Sequence, residues 1–287
     1  MTEPAEQRTP TLPDAVDSQI QRLINVIYDR YGYDFRSYSK PSQKRRVLGF
    51  LKTKGLSCID EISDSIAGNR EFFFEFLDHL TISTTELFRD PPVYQALVTH
   101  IVPMLKTYPV FKIWHAGCST GEEVYSLVIL LHEHDLLQRA TVYATDINRH
   151  ALEQAKTGIV PSQILKRDSQ SYFKSGLTHS LADYWHTKHG YSLFDKTLLK
   201  NVVFAEHNLV TDAAFSEMQL ILCRNVLIYF NRELQNRVLE LFRDSLSRQG
   251  ILCLGTKESI SFSSVVRDFL PVCPSQRIYQ KKTRIYE

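Results

Sequence analysis

The 287-residue sequence has no apolar run approaching the ~18 residues a membrane-crossing helix needs, so no membrane insertion is expected. Its start, Met1 to Asp14, is polar and Pro-bearing and lacks the apolar centre of a secretory leader. A cytoplasmic protein is expected. Cysteine is sparse and scattered: Cys58, Cys118, Cys223, Cys253 and Cys273 include no CxxC pair. That spacing gives no support to a zinc site or a thioredoxin-like motif, and no metal is expected. The odd number fits a reduced cytosol better than a disulfide framework. Cys118, Cys223 and Cys253 lie in apolar surroundings and read as small core residues. Charge of one sign is not in excess either, and a net charge of +2 is too small to imply nucleic acid. There is no G-x-G-x-x-G, no internal repeat and no low-complexity stretch.

What is present divides in two. Residues 1–14 read as a disordered lead-in. From Asp17 to Tyr31 the apolar residues Ile20, Leu23, Ile24, Ile27 and Tyr28 recur at helical spacing. Between Phe35 and Gly55 stand seven basic residues (Arg36, Lys40, Lys44, Arg45, Arg46, Lys52, Lys54) and no acidic one. Pro41 can open a helix there, with Val47, Phe50 and Leu51 as its buried stripe. An acidic helix near Cys58–Ala67 and an aromatic one over Phe72–Leu80 follow, so residues 15–90 read as a small all-α domain. Beyond Arg89-Asp90-Pro91-Pro92, apolar runs at Lys112–Ala116, Thr141–Thr145, Val202–Ala205, Leu220–Cys223 and Ile251–Leu254 alternate with helical patterns at Glu122–His134, Arg149–Lys156 and Arg232–Ser247. This rhythm predicts an α/β domain over 91–287 with a mostly parallel, Rossmann-like sheet covered on both faces. Residues 161–200 break the rhythm and read as an inserted subdomain, and Arg277–Lys281 as a last, antiparallel strand.

Three segments carry chemistry. In Ile113-Trp114-His115-Ala116-Gly117-Cys118-Ser119-Thr120-Gly121-Glu122-Glu123 a strand ends, small residues turn, and a helix begins, as at the ligand-binding edge of a doubly wound sheet. Gly117 and Gly121 supply conformational freedom, and Ser119 or Thr120 can cap the helix. Glu122 and Glu123 would repel a diphosphate at that helix end and suit an ammonium or sulfonium ligand; the plainer alternative is first-turn acids favoured by the helix dipole. Asp146, in Thr145-Asp146-Ile147-Asn148, ends the next strand, where an acid can hold both ribose hydroxyls or simply cap the next helix. Cys223-Arg224-Asn225-Val226-Leu227-Ile228-Tyr229-Phe230 follows a buried strand. An arginine in so apolar a context needs a partner, either a bound carboxylate or an acid of the protein. Tyr229 can donate a phenolic hydrogen bond or be core alone.

The segments IWHAGCSTGEEVYS (113–126), CRNVLIYF (223–230), TISTTELFRD (81–90) and LGTKESI (254–260), in this order along a chain that matches from about Gln19 to Lys282, resemble the chemotaxis receptor glutamate O-methyltransferases, the CheR family. The resemblance implies a helical domain followed by an S-adenosylmethionine-dependent methyltransferase domain. It implies that Ser83, Thr85 and Arg89 contact the cofactor from the segment between the domains, with Glu123 near the methionine moiety, Asp146 at the ribose and Asn208-Leu209 beside the adenosine. Arg224 and Asn225 complete the site, and Arg224 and Tyr229 orient the substrate. Ser83 stands where the family usually has Asn, Gln219 where it commonly has Asp, and Val160 where it usually has Tyr.

The implied reaction moves a methyl group to glutamate carboxylates of chemoreceptors, leaving S-adenosylhomocysteine. A carboxylate is already ionised near neutral pH, so no general base is assigned and no histidine is given a role. The basic stretch 36–54 is expected to meet an acidic receptor surface, and otherwise is a solvated helix face; nucleic acid is disfavoured and a monomer is expected. The region 161–200 lacks the Gly-rich loop with which some family members hold a receptor C-terminal peptide, so tethering is not expected. A module that binds S-adenosylmethionine but only docks is the alternative from another class. Glu122-Glu123 and the missing glycine fingerprint disfavour a dehydrogenase.

Overall fold

A computed structural model describes residues 12–81, 85–214 and 217–283, and these form two units divided between Thr81 and Ile82. The first is all-helical: α1 (Leu12–Tyr31), α2 (Lys40–Lys54), α3 (Ile59–Gly68) and α4 (Arg70–Leu80). Its core is the set of stripes Ile20, Leu23, Ile24 and Ile27 of α1, Val47 and Phe50 of α2, Ile59, Ile62 and Ile66 of α3, and Phe73, Phe76, Leu77 and Leu80 of α4. Pro41 lies in the first turn of α2 as expected, and Gly55 ends the helix in the left-handed conformation. Gln43 rather than Leu51 completes the buried stripe of α2, because its amide donates to the Phe35 carbonyl. Asn69 caps α4 by accepting from the Glu71 and Phe72 amides. Helix α1 begins at Leu12, inside the segment read as a lead-in, and residues 1–11 lie outside the described residues.

The second unit begins about nine residues earlier than the sequence pattern suggests. Leu87 and Phe88 are buried in the core of the α/β unit, so the segment 85–90 belongs to it rather than to the helical domain. In chain order the unit contains α5 (Pro91–Ala96), α6 (Val102–Leu105), β1 (Phe111–Ala116), α7 (Glu122–Glu133), β2 (Ala140–Asp146), α8 (Arg149–Thr157), β3 (Ile159–Pro161), α9 (Ser162–Lys174), β4 (Trp185–Lys188), β5 (Tyr191–Phe194), β6 (Val202–Glu206), β7 (Met218–Cys223), α10 (Arg232–Ser245), β8 (Leu246–Leu254), β9 (Phe269–Cys273) and β10 (Ile278–Lys281).

Seven strands form one sheet in the order β6-β2-β1-β7-β8-β10-β9. The first five are parallel, and β10 is antiparallel to both β8 and β9. The chain winds outward from β1 through β2 to β6, then returns to β7 on the other side of β1. The carboxyl ends of β1 and β7 therefore flank the point where strand order reverses, where doubly wound sheets bind ligands. Edge strand β9 escaped the sequence reading because it contains Pro271, which an edge tolerates. The insertion at 161–200 contains helix α9 and, joined by β3, a three-stranded antiparallel sheet in the order β3-β5-β4. Val160 is buried in that sheet. Gln219 accepts a hydrogen bond from the Lys112 amide (2.7 Å), linking β7 to β1. Cys118, Cys223 and Cys253 are buried free thiols, and no helix among the described residues is long and apolar enough to cross a membrane.

Candidate active site

The turn after β1 is built for close packing at the switch point. Gly117 has φ +77°, and a Cβ there would lie 2.3 Å from Cγ2 of Val226 in the turn after β7, so the two turns touch only because glycine is present. Gly121 (φ +93°) opens α7, and a Cβ would approach the Ala155 Cβ to 2.9 Å. Neither Ser119 nor Thr120 caps α7. The Thr120 hydroxyl donates to Glu122 (2.6 Å), and Ser119 itself sits at φ +51° with its buried hydroxyl oxygen unpartnered.

Asp146 ends β2 and clasps this turn. Its Oδ2 accepts from the Ser119 amide (2.8 Å) and its Oδ1 from the Asn148 amide (2.9 Å). The cap of α8 is Asn148, which accepts from the Ala151 amide (3.0 Å), so Asp146 is not the capping residue. Burial raises the Asp146 pKa above its ordinary value, and the backbone donors partly offset that. Asn208 and Leu209 follow β6, whose Glu206 lies in register with Asp146, and the His207 amide donates to the Asp146 carbonyl (3.1 Å). Asn208 folds its own turn, accepting from the Val210 amide at 2.9 Å.

Arg224, at the end of β7, is fully enclosed and meets three acceptors. It pairs with Glu123, donates to Asp90 Oδ2 (2.6 Å), and donates to the Arg89 carbonyl (3.1 Å). Of the two partners the sequence leaves open for Arg224, a bound carboxylate or an acid of the protein, the structure shows acids of the chain itself. A buried guanidinium requires such partners; burial is the largest single influence and opposes its charge, but Glu123, Tyr94 and Cys253 together raise its pKa above the ordinary value. Asn225 has φ +61° and a buried Oδ1 without a partner. Tyr229 stands half-exposed on the single turn Leu227–Tyr229.

Four of the eight non-glycine residues with positive φ among the described residues are Phe88, Asp90, Ser119 and Asn225. Backbone strain is thus concentrated in the three segments that converge here, and each such residue costs about 1–3 kcal/mol that its neighbours must offset. Arg89 is half-buried, and its guanidinium has no ion pair among the described residues. Thr85 is half-buried on the same segment, and Ser83 lies outside the described residues.

Several residues of the site carry no signal that local reading could use. Asp90 joins Glu123, which the sequence motif does single out, in completing Arg224. Glu258 is a buried carboxylate that accepts from the amides of Gly255 (2.6 Å), Asn225 (3.1 Å) and Ile228 (3.3 Å), shaping the turn after β7. His115 is buried with neither ring nitrogen hydrogen-bonded, and Nε2 lies 3.8 Å from Glu123. Burial lowers its pKa, with Glu123 opposing and Arg224 assisting.

The polar groups gathered at the switch point fit an S-adenosyl ligand. Asp146 and Ser119 lie at the strand end where a ribose binds, the Asn225 acceptor lacks a donor, Arg89 offers a cation and Glu122 and Glu123 offer acids. Comparison with known proteins agrees. The model of the CheR methyltransferase SAM-binding domain matches residues 83–273, and that of the CheR methyltransferase all-alpha domain matches residues 18–81. A Pseudomonas putida relative named "Putative methyltransferase Cher3" is 45% identical over 265 residues, covering 92% of this chain and 97% of the relative. Chemotaxis protein methyltransferases of Listeria monocytogenes and Escherichia coli are each 28% identical, over 87% and 85% of this chain and 92% and 85% of their own lengths. Taken with the helical domain, the switch-point turns and their charged residues, these matches show that the chain belongs to the CheR methyltransferase family, as an S-adenosylmethionine-dependent methyltransferase.

Proposed function

We propose that this protein methylates glutamate side-chain carboxylates of chemoreceptors, giving glutamate methyl esters and S-adenosylhomocysteine in sensory adaptation. The observation that carries the reading is the buried ion cluster in which Arg224 pairs with both Glu123 and Asp90, so that these two acids serve as ion-pair partners at the switch point. An amine or hydroxyl acceptor must lose a proton, whereas a glutamate carboxylate is already ionised at neutral pH. One carboxylate oxygen of Glu123 is held by Arg224, and burial makes the His115 imidazole a weaker base than usual. S-adenosylmethionine, when bound, supplies a methyl group activated on a sulfonium. Asp146 and Ser119 hold the ribose, Asn208 and Leu209 flank the adenosine, and Thr85, Arg89, Glu123 and Asn225 hold the methionine end. Tyr229 orients the acceptor carboxylate by its phenolic hydroxyl. Arg224 contributes by fixing Glu123 and the Arg89-Asp90 turn, so that groups meet in line and water is excluded.

The relatives named chemotaxis protein methyltransferases support the receptor as substrate and, with it, a cytoplasmic site of action. On α2, the exposed residues Arg45, Leu48 and Lys52 share one face and suit an acidic receptor surface. Transfer of labelled methyl from S-adenosylmethionine to receptor-containing membranes tests the reading. Label released as methanol by mild base is expected. If the protein binds cofactor but labels no receptor in a panel, the enzyme reading fails and a docking module takes its place.

A further inference from the structure

We infer that Asp168, on helix α9 of the inserted segment, is a positioning residue for the cofactor. It sets the backbone of residues 85–90 and, through that backbone, the side chains of Thr85 and Arg89. The inference rests on the reading of those two residues as cofactor-binding.

Asp168 is an acid with a 6% exposed side chain on a helix otherwise polar in composition. Its Oδ2 accepts from the Leu87 amide at 3.0 Å, across 81 residues of chain. Arg167 forks the same carboxylate at 2.6 and 2.9 Å, which balances its charge. The next amide, that of Phe88, donates to the Ser126 hydroxyl on α7 (2.8 Å), and that hydroxyl donates back to the Glu122 carbonyl (2.8 Å). The following carbonyl, that of Arg89, accepts from Arg224. Three successive residues are therefore gripped by α9, α7 and the end of β7 in turn.

The grip has work to do, because Phe88 (φ +53°) and Asp90 (φ +56°) are left-handed residues with side chains. Such backbone persists only when its surroundings over-determine it. The Phe88 ring is locked as well, 5.1 Å from the rings of both Tyr94 and Tyr172. Tyr172 is on α9 and donates to the buried Glu133 at the end of α7 (2.6 Å), so α9 is itself pinned at a second point. Helix α9 thereby forms the support behind the cofactor segment. Without Asp168 the Leu87 amide loses its acceptor in a buried setting, and the two strained residues lose one of the bonds that fix them.

Full-length Asp168→Ala, Asp168→Asn, Arg167→Ala and Arg89→Ala variants test this by calorimetric titration with S-adenosylmethionine and S-adenosylhomocysteine, alongside thermal unfolding. Asp168→Ala should weaken binding by roughly tenfold. Asp168→Asn, which keeps an oxygen for the Leu87 amide, should recover most of that, and Arg167→Ala should bind as the parent does. A merely structural role would lower the melting temperature and the binding-competent fraction but leave the Kd of the folded protein unchanged. If Asp168→Ala does not fold, Asp168→Glu, which displaces the acceptor by one methylene, carries the same expectation. Binding within twofold of the parent in the Asp168 variants, while Arg89→Ala binds weakly, overturns the inference alone. If Arg89→Ala also binds normally, the cofactor reading of the segment fails, and the inference falls with it.

Discussion

In the helical unit the described charges lie outside: Arg22 pairs with Asp60, Arg36 with Asp34 and Lys44 with Asp17 at the surface, and Gln43 is the one buried polar residue among those described. In the α/β unit Glu122, Glu123, Asp168, Arg224, Glu258 and His115 are all buried. The helical unit is held by apolar stripes and ring contacts such as Phe50–Phe76 and Tyr31–Phe73. Its surface charge is therefore free to serve recognition. The α/β unit uses charge as framework: Asp168, Arg224 and Glu258 each hold the backbone of a segment that carries residues with positive φ. Charge is thus dispensable for folding in one unit and structural in the other.

The contrast is sharpest at Arg224. Replacing it by Met leaves Glu123 buried without its cation and should cost about 3–5 kcal/mol of stability, with cofactor binding lost. Adding Glu123→Gln should restore much of the stability but not the binding, as read by urea unfolding and calorimetry. The matching change in the helical unit, Lys44→Met, should cost under about 1 kcal/mol. Glu258→Ala should come next, at about 2–3 kcal/mol, because amides of three residues lose one acceptor group in a buried turn. Glu258→Gln, which keeps a carbonyl, should recover part of it. Equal losses for Lys44 and Arg224 would erase the distinction between the units.

The parts of the α/β unit legible in the sequence are those whose logic is local. Buried strands, the small-residue turn after β1 and the position of Asp146 at a strand end can each be read within a dozen residues. The buried charges cannot, because their partners are distant: Asp90 lies 134 residues from Arg224, and Asp168 lies 81 from Leu87. Sequence reading correctly demands a partner for Arg224 but cannot choose between a substrate and a remote acid. Helix α9 is obscured for the same reason, since an aspartate occupies its buried face where an apolar residue would have marked the period. Strands β3, β4 and β5 are only three or four residues long, too short to display alternation.

His115 gives a smaller effect with a defined sign. Its folded pKa lies below the ordinary value of 6.5, since burial disfavours the imidazolium, so the unfolded chain takes up the proton first. The stability it contributes is complete above 6.5 and is lost as pH falls toward the folded value, at no more than about 1.4 kcal/mol per pH unit. His115→Asn should flatten the fall in stability below pH 6.5 by its share. His79, His134 and His207, also lowered by burial, set a slope common to parent and variant. Parallel curves of urea-unfolding free energy against pH for the two proteins would show that His115 is not held neutral.

The smallest effect on stability is expected on α2, where the same type of residue has the opposite use. Lys40, Arg45 and Lys52 are exposed and have no acidic partner among the described residues, while Arg36, Lys44 and Lys54 pair with Asp34, Asp17 and Glu75. Arg45→Glu with Lys52→Glu should therefore change the unfolding free energy by less than about 0.5 kcal/mol. Cofactor affinity should be unchanged, since both residues are remote in kind from the buried ions that shape the cofactor site. Methyl transfer to receptor membranes should nevertheless fall roughly tenfold at low salt, because two attractive charges become repulsive ones. Raising the ionic strength should slow the parent and narrow the gap, since exposed charges are screened within about 10 Å at 0.1 M. A variant that methylates receptors as fast as the parent at low salt would remove recognition from the charged face of α2, leaving that charge with no use beyond solvation.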